Sequence, residues 1–433
     1  MTFVRALLVH LLLLTTPALA QFAVLEPPRG WTTIDGKAFP ATLLQFDGTT
    51  ALFRMANGTQ AQAPLAKLSV EDQAYIAEWL KKQPIKTNTP DVIGVDFNSL
   101  KTEVLSEDAL AEKFIYRTPH FEFESQGKFT QTLLREVAAD FEATYELLKA
   151  LPWNIEPHPP TGDYFHARLF KDRAAYLAAG GVTNSAGIYQ SSVEAFLVPF
   201  ESMGLKLSGK SYTKGRDFDS STMVHELTHQ MMHFWLQILP QWVVEGTAEY
   251  TNNLPLTSGR FRVSAAKTGL KDYVTFLKKR AIGGVPEPFP LEKLFNISNE
   301  DWMETLKQDP TSSHRLYFTS YLLVYYFMHL DGKGDSQRFL HYFREIQSQR
   351  KELETYRIAM AEFFKKPGVK DNGNGTYSFS SEITPPKAPV YMVAPGAKTA
   401  FQKKTLGILL DGRSEADLMK EIRTAYSRLG IKL

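Results

Sequence analysis

The chain has 433 residues, 43% of them hydrophobic and 22% charged, which excludes fibrous, collagen-like and wholly disordered classes. The 49 Lys and Arg against 47 Asp and Glu leave a formal charge of +2 with no basic block, so no nucleic-acid partner is expected. There is no cysteine, which excludes disulfides, thiolate metal sites, a cysteine nucleophile and a lipoprotein anchor. At roughly 150 residues per domain, two to three domains are expected.

Residues 1–20 read as an export signal. Arg5 is followed by an apolar run from Ala6 to Leu14, and Ala18-Leu19-Ala20 places small residues before Gln21. The run is too short to span about 30 Å of hydrocarbon. The mature chain is expected outside the cytoplasm, periplasmic or secreted, without a membrane span. Residues 25–80 form a small β domain. Phe39 to Phe46 and Ala51 to Met55 are strand-like, and a third short strand ends at Pro64. Asp47-Gly48 and Asn57-Gly58 supply the hairpin turns, because both central positions of a type I′ turn need positive φ. Ser69 then N-caps a helix to Leu80.

The run from Trp31 through Asp35-Gly36-Lys37, Asn57-Gly58 and Leu68-Ser69-x-x-Asp72-Gln73 resembles the first type of Sla homology domain. That resemblance implies an SH3-like β fold and a partner protein or peptide. A structural cap is the alternative.

Residues 81–93, with Lys81, Lys82, Pro84, Asn88 and Pro90, read as a linker. The remainder, 94–433, is one larger domain. Its expected elements are a strand from Phe114 to Phe123 and a helix carrying Leu134, Val137, Phe141, Tyr145 and Leu148. Strands at His166–Phe170 and Phe196–Phe200 come next. The chain is mainly helical from Ser221. Asn372-Gly373-Asn374-Gly375 marks a late turn, and the last helix runs from Ser414 to Gly430.

The chemistry lies between Ser221 and Tyr250. In His225-Glu226-Leu227-Thr228-His229 the two histidines sit four apart, on one helix face, where both imidazoles can reach one zinc ion at about 2.0–2.1 Å. Glu226 is placed to take a proton from water at the open side of that metal. After a break at Pro240, Glu245 and Glu249 repeat the spacing of four. One carboxylate can complete a His₂Glu site and the other can accept the free N–H of a ligand histidine. His233 lies about 12 Å along the axis from His225, so those two cannot share one ion, and His233 reads as a packed helix-face residue. A metzincin pattern needs Gly at 232 and His at 235, where this chain has Met232 and Trp235.

Set in the run Trp242-Val243-Val244-Glu245-Gly246-Thr247-Ala248, the arrangement resembles the gluzincin zinc metallopeptidases, which include the thermolysin and aminopeptidase N types. The shorter interval between His229 and Glu245 resembles a bacterial peptidase-like branch. The resemblance implies an α+β, zincin-like domain with a mixed sheet, an active-site helix and a mainly helical C-terminal part. It implies one zinc held by His225, His229 and Glu245, with Glu226 as the base and Glu249 beside a ligand histidine. Tyr317, in Tyr317-Phe318-Thr319-Ser320 before an apolar helix from Tyr321 to Leu330, matches the tyrosine that donates to the oxyanion in the aminopeptidase N type. Tyr250 and Tyr321 are weaker alternatives. Ser191 to Phe200 matches the edge strand that holds substrate, with Glu194 as an exposed strand charge. The aminopeptidase signature Gly-x-Met-Glu-Asn is absent, which favours endopeptidase action.

Two functions are therefore expected from different classes. The first is an exported zinc peptidase acting on a peptide or protein. The second is an inactive zincin scaffold whose N-terminal module binds a protein or peptide. A purely structural zinc fits less well, because such sites close all four positions, often with cysteine.

Overall fold

The computed structural model describes residues 27–433 other than 47–48, 86, 184, 216–219, 281–284, 309, 374–375, 390–391 and 393–395. The expected export signal and the Asp47-Gly48 turn lie outside the described residues. The chain divides into two units between Lys86 and Thr87.

In the first unit, β1 (Arg29–Thr32), β2 (Ala38–Phe46), β3 (Thr50–Met55) and β4 (Gln60–Pro64) form an antiparallel meander, followed by α1 (Val70–Lys82). Gly58, at φ 82°, turns the chain between β3 and β4, as the Asn57-Gly58 pair predicts. Trp31, Leu43, Phe53, Leu68, Ile76 and Trp79 form the core. Ser69 caps α1 by accepting from the Asp72 N–H at 3.2 Å. The buried Asp72 carboxylate accepts from the Thr32 N–H at 2.6 Å and pairs with Arg29 at 2.8 Å, which ties the helix to β1.

The expected linker at 81–93 is shorter than its composition suggested. Helix α1 continues to Lys82, and Val92 already opens β5 (Val92–Gly94), which pairs with a later hairpin. Backbone hydrogen bonding, including Val263 N–H to the Asp91 carbonyl at 2.7 Å, draws these residues into the second unit.

The second unit contains β6 (Glu103–Asp108), β7 (Lys113–Arg117), β8 (Phe121–Ser125), α2 (Gln131–Ala150), β9 (Phe165–Phe170), α3 (Arg173–Ala178), β10 (Ile188–Gln190) and β11 (Ala195–Pro199). A mixed sheet runs in the order β10-β11-β9-β8-β7-β6. β8, β9 and β11 are parallel, and the outer pairs are antiparallel. Three expectations are corrected here. The single strand at 114–123 is a hairpin, because Pro119 cannot donate to a ladder and the buried Glu142 gathers the turn. Glu142 accepts from the Thr118 hydroxyl at 2.6 Å and the His120 N–H at 2.8 Å. The strand matched to the sheet edge, 191–200, is interior: β11 lies between β9 and β10, and the edge at that end is β10. Glu194 is not a strand charge. It occupies a left-handed turn at φ 53° and accepts from the Thr161 hydroxyl at 2.6 Å.

After the hairpin β12 (Leu205–Ser208) and β13 (Ser211–Lys214) come α4 (Ser221–Met231), α5 (His233–Leu236) and α6 (Gln241–Asn252). The hairpin β14 (Leu256–Thr257) and β15 (Arg260–Arg262) pairs with β5. Helices α7 (Ala266–Arg280), α8 (Leu291–Asn296), α9 (Asn299–Gln308), α10 (Pro310–His329) and α11 (Gln337–Phe364) follow. The small hairpin β16 (Lys370–Asp371) and β17 (Tyr377–Ser378) flanks the expected Asn-Gly turn, of which 374–375 lie outside the described residues. The chain ends with α12 (Ala397–Leu410) and α13 (Glu415–Arg428), the latter capped by Ser414 as expected. The architecture is α+β. Among the described residues no helix is long and apolar enough to cross a membrane.

Candidate metal centre

Helix α4 packs against the mixed sheet and α6. Its sheet-facing side chain Gln230 donates to the His166 carbonyl at 2.8 Å. Where α4 and α6 meet, the buried hydroxyls of Thr228 and Thr251 lie 2.7 Å apart. This contact brings Glu245 to both His225 and His229, and Glu249 to His225.

The result is a triangle of donor atoms. His225 Nε2 and His229 Nε2 are 3.1 Å apart, and Glu245 Oε2 lies 3.2 Å from the first and 3.4 Å from the second. Ligands at about 2.05 Å on three corners of a tetrahedron stand about 3.3 Å from one another. Glu245 Oε2 is buried without a hydrogen-bond donor, whereas Gln241 Nε2 donates to Oε1 at 2.8 Å and fixes the carboxylate plane. The group His225, His229 and Glu245 can hold a metal ion.

The surroundings are acidic and largely buried. Glu249 Oε1 stands 3.5 Å from His225 Nδ1, and its other oxygen accepts from Asn253 at 3.2 Å. Burial pushes the Glu249 and Glu226 carboxyls up from their ordinary range. Burial pushes Glu245 up as well, but the two histidines outweigh it and hold that carboxylate well below its ordinary value. For His225, burial disfavours the charged ring, yet Glu245, Glu249 and Glu226 together raise it to about 9. The electrostatics of the pocket thus call for positive charge at the centre of the triangle.

Tyr317 belongs to the same group. Its ring centroid lies 6.3 Å from that of His225, and Trp302 on α9 packs against it edge to face at 6.0 Å. The charge of Glu245, then burial, raises its phenol well above the ordinary value, so the hydroxyl remains a donor. Tyr317 does not precede its helix, as the sequence suggested, but sits within α10, whose polar first turns hide the true start at Pro310. Its approach depends on Gly246 of α6. A Cβ there would lie 2.5 Å from the Ser320 carbonyl oxygen and 2.8 Å from Val324 Cγ2. Glycine therefore lets α6 and α10 touch backbone to backbone.

The alternatives are placed elsewhere. The Tyr250 hydroxyl faces His329 Nε2 at 3.0 Å, and Tyr321 is buried among tyrosines. His233 is not a ligand of the triangle. α4 ends at Met231, and His233 Nδ1 lies 2.7 Å from the Tyr189 hydroxyl.

Two residues escaped the sequence reading. Gln241 was legible as the residue four before Glu245. Tyr189 was not: its contribution is a backbone N–H on β10, donated to Glu226 Oε2 at 2.7 Å. A cavity of about 790 Å³ opens beside Asp140, Lys214 and Ser220, but it contains none of the donor atoms. The centre is therefore located by its donor geometry.

No protein-family model matches the chain, and no curated protein matches it.

Proposed function

We propose that this chain is a zinc-dependent peptidase, best read as a gluzincin-like endopeptidase that acts after export. The observation that carries the reading is the donor triangle of two imidazoles and one carboxylate, with edges of 3.1, 3.2 and 3.4 Å, beside the carboxyl of Glu226. Nitrogen and oxygen donors in a three-residue set suit zinc and leave a position open for reactants. A zinc ion bound there supplies a Lewis acid that polarises a carbonyl and acidifies water. Glu226 takes the proton of the attacking water on its carboxylate and delivers it to the leaving amine nitrogen. The Tyr317 hydroxyl donates to the oxygen that gains charge as the carbonyl becomes tetrahedral. Glu249 Oε1 faces His225 Nδ1 at 3.5 Å, and Gln241 Nε2 donates to Glu245 Oε1.

The N-terminal unit is proposed as a protein- or peptide-binding module. Its resemblance to the Sla-type domain supports this, as do the exposed apolar side chains of Ile34 and Val70, which flank the junction of β1 and α1.

The test is metal content of the purified chain, with His229→Ala and Glu226→Gln beside it, followed by hydrolysis of a quenched-fluorescent peptide library. About one zinc per chain is expected in the wild type and in Glu226→Gln, and little in His229→Ala. Equal binding without His229 refutes the ligand set. Hydrolysis unaffected by Glu226→Gln refutes the role of the base.

A further inference from the structure

Strand β10 has only three residues and three partners on β11, Ile188 with Leu197, Tyr189 with Phe196 and Gln190 with Ala195. Such a strand is weakly held by its ladder alone. The chain enters it from a segment containing Gly180, Gly181 and Gly187. Yet this strand forms the sheet edge beside Glu226. Because the Tyr189 N–H goes to Glu226, that peptide faces the free edge rather than β11.

Tyr189 is bonded at both ends. Its N–H donates to Glu226 Oε2 at 2.7 Å, and its hydroxyl meets His233 Nδ1 at 2.7 Å. Glu226 lies on α4 and His233 opens α5 beyond Met232, so Tyr189 bridges two successive helical segments. The Tyr189 side chain is buried between them. The far side of His233 is also engaged: Arg357 Nη1 of α11 lies 3.4 Å from Nε2. A guanidinium only donates, so Nε2 accepts and the neutral ring carries its proton on Nδ1, where it donates to the Tyr189 oxygen. Burial, then the Arg357 charge, keeps this ring neutral.

We propose that Tyr189, locked by His233 and Arg357, is a positioning brace that fixes both the edge strand and the Glu226 carboxylate against the metal-binding helix. The catalytic part of this statement rests on Glu226 being the base. The brace itself does not. Arg357 ties the device to the C-terminal helices, so α11 reaches Glu226 through three hydrogen bonds by way of His233 and Tyr189. An incoming extended chain then meets an edge whose distance from the base is already set.

The test uses the full chain as wild type, Tyr189→Phe, His233→Ala, His233→Asn and the Tyr189→Phe/His233→Ala double variant. Three readouts are taken: metal per chain, hydrogen exchange of the Tyr189 amide, and kcat and KM on a peptide cleaved by the wild type. Metal content is expected to stay at the wild-type value in all of them. The Tyr189 amide is expected to exchange about tenfold faster in Tyr189→Phe and His233→Ala. His233→Asn, whose amide nitrogen can stand in for Nδ1, is expected to restore protection. In the same two variants kcat is expected to fall about tenfold to a hundredfold with KM little changed, and the double variant is expected to lose no more than either single one. Exchange and kcat unchanged in Tyr189→Phe, which removes one oxygen and leaves the packing, overturn the proposal. So do additive losses in the double variant. Should the chain hydrolyse no peptide, the peptidase reading fails, while the exchange data still decide whether the brace exists.

Discussion

Substituting Gly246 by alanine separates the two halves of the proposed site. The metal donors lie on α4 and α6, whereas Tyr317 lies on α10. A Cβ at position 246 falls 2.5 Å from Ser320 O, 2.8 Å from Val324 Cγ2 and 2.9 Å from Ser320 C. Ordinary contact begins at 3.4 Å, so relief at the carbonyl requires 3.4 − 2.5 = 0.9 Å of retreat. Ser320 is three residues from Tyr317 on the same helix, so the phenol retreats with it. Overpacking costs about 1–3 kcal/mol, whereas replacing a mid-helix glycine with alanine returns roughly 0.8–1 kcal/mol. The net loss is up to about 2 kcal/mol, read as a fall in the urea midpoint at unchanged m. A displacement of about 1 Å at a group that touches the reacting carbonyl costs up to roughly a hundredfold in kcat. Zinc content is expected to remain near one per chain. If Gly246→Ala keeps full kcat and full stability, the α6–α10 contact does not position Tyr317. If it loses zinc, the strain is relieved by movement of α6, which carries Glu245, rather than of α10.

Tyr317→Phe is expected to lower kcat about a hundredfold to a thousandfold while leaving zinc stoichiometry and stability near wild type; a variant with wild-type kcat removes Tyr317 from the reaction. Removing metal with a chelator is expected to lower the melting temperature, and adding zinc at about a thousand times Kd to restore roughly 4 kcal/mol, with no such response in His229→Ala. Stability in acid is expected to depend on His329, whose ring burial depresses to about 4 from the ordinary 6.5. The unfolded chain then binds the extra proton, so this contribution is complete above pH 6.5 and is lost as pH falls through about 4. It amounts to at most about 3 kcal/mol. His329→Asn should flatten the difference in urea midpoint between pH 7 and pH 4, and an unchanged difference refutes the assignment.

What the sequence made legible follows from how local the signals are. The His225–His229 pair and the Glu245–Glu249 pair are both spacings of four on a helix, and their side-chain types announce the chemistry. The hairpin at Asn57-Gly58 and the caps at Ser69 and Ser414 are equally local. β6 was invisible because every residue of Glu103–Asp108 is exposed, so no apolar alternation marks it. The aromatic run from Phe114 to Phe123 masked a turn that Pro119 should have betrayed. The edge strand was placed too late because β11 is buried along its whole length and therefore carries the stronger hydrophobic signal. β10 has only three residues, of which only Tyr189 is buried, and so carries little. Tyr189 reaches Glu226 through a peptide N–H across 37 residues, a contact to which side-chain pattern contributes nothing.

The burial pattern of α6 bears on why such a site is built at all. Residues 242–251 are buried without interruption, so this helix is enclosed on every face, and yet it carries Glu245 and Glu249. With Glu226 that makes three carboxylates in one largely buried pocket. Among the described residues their ion-pair partners are histidines, not lysine or arginine. Removing a carboxylate from water costs several kcal/mol even after relaxation, and the one histidine that the acids raise, His225, cannot balance three carboxylates. A fold selected for stability alone would place apolar residues at 245 and 249, where their neighbours Val244 and Ala248 already fit. The acidic pair is therefore a cost to the unliganded chain, which a cation at the donor triangle would offset. In the proposed reading that cation would also acidify the water from which Glu226, held by the Tyr189 N–H, takes a proton.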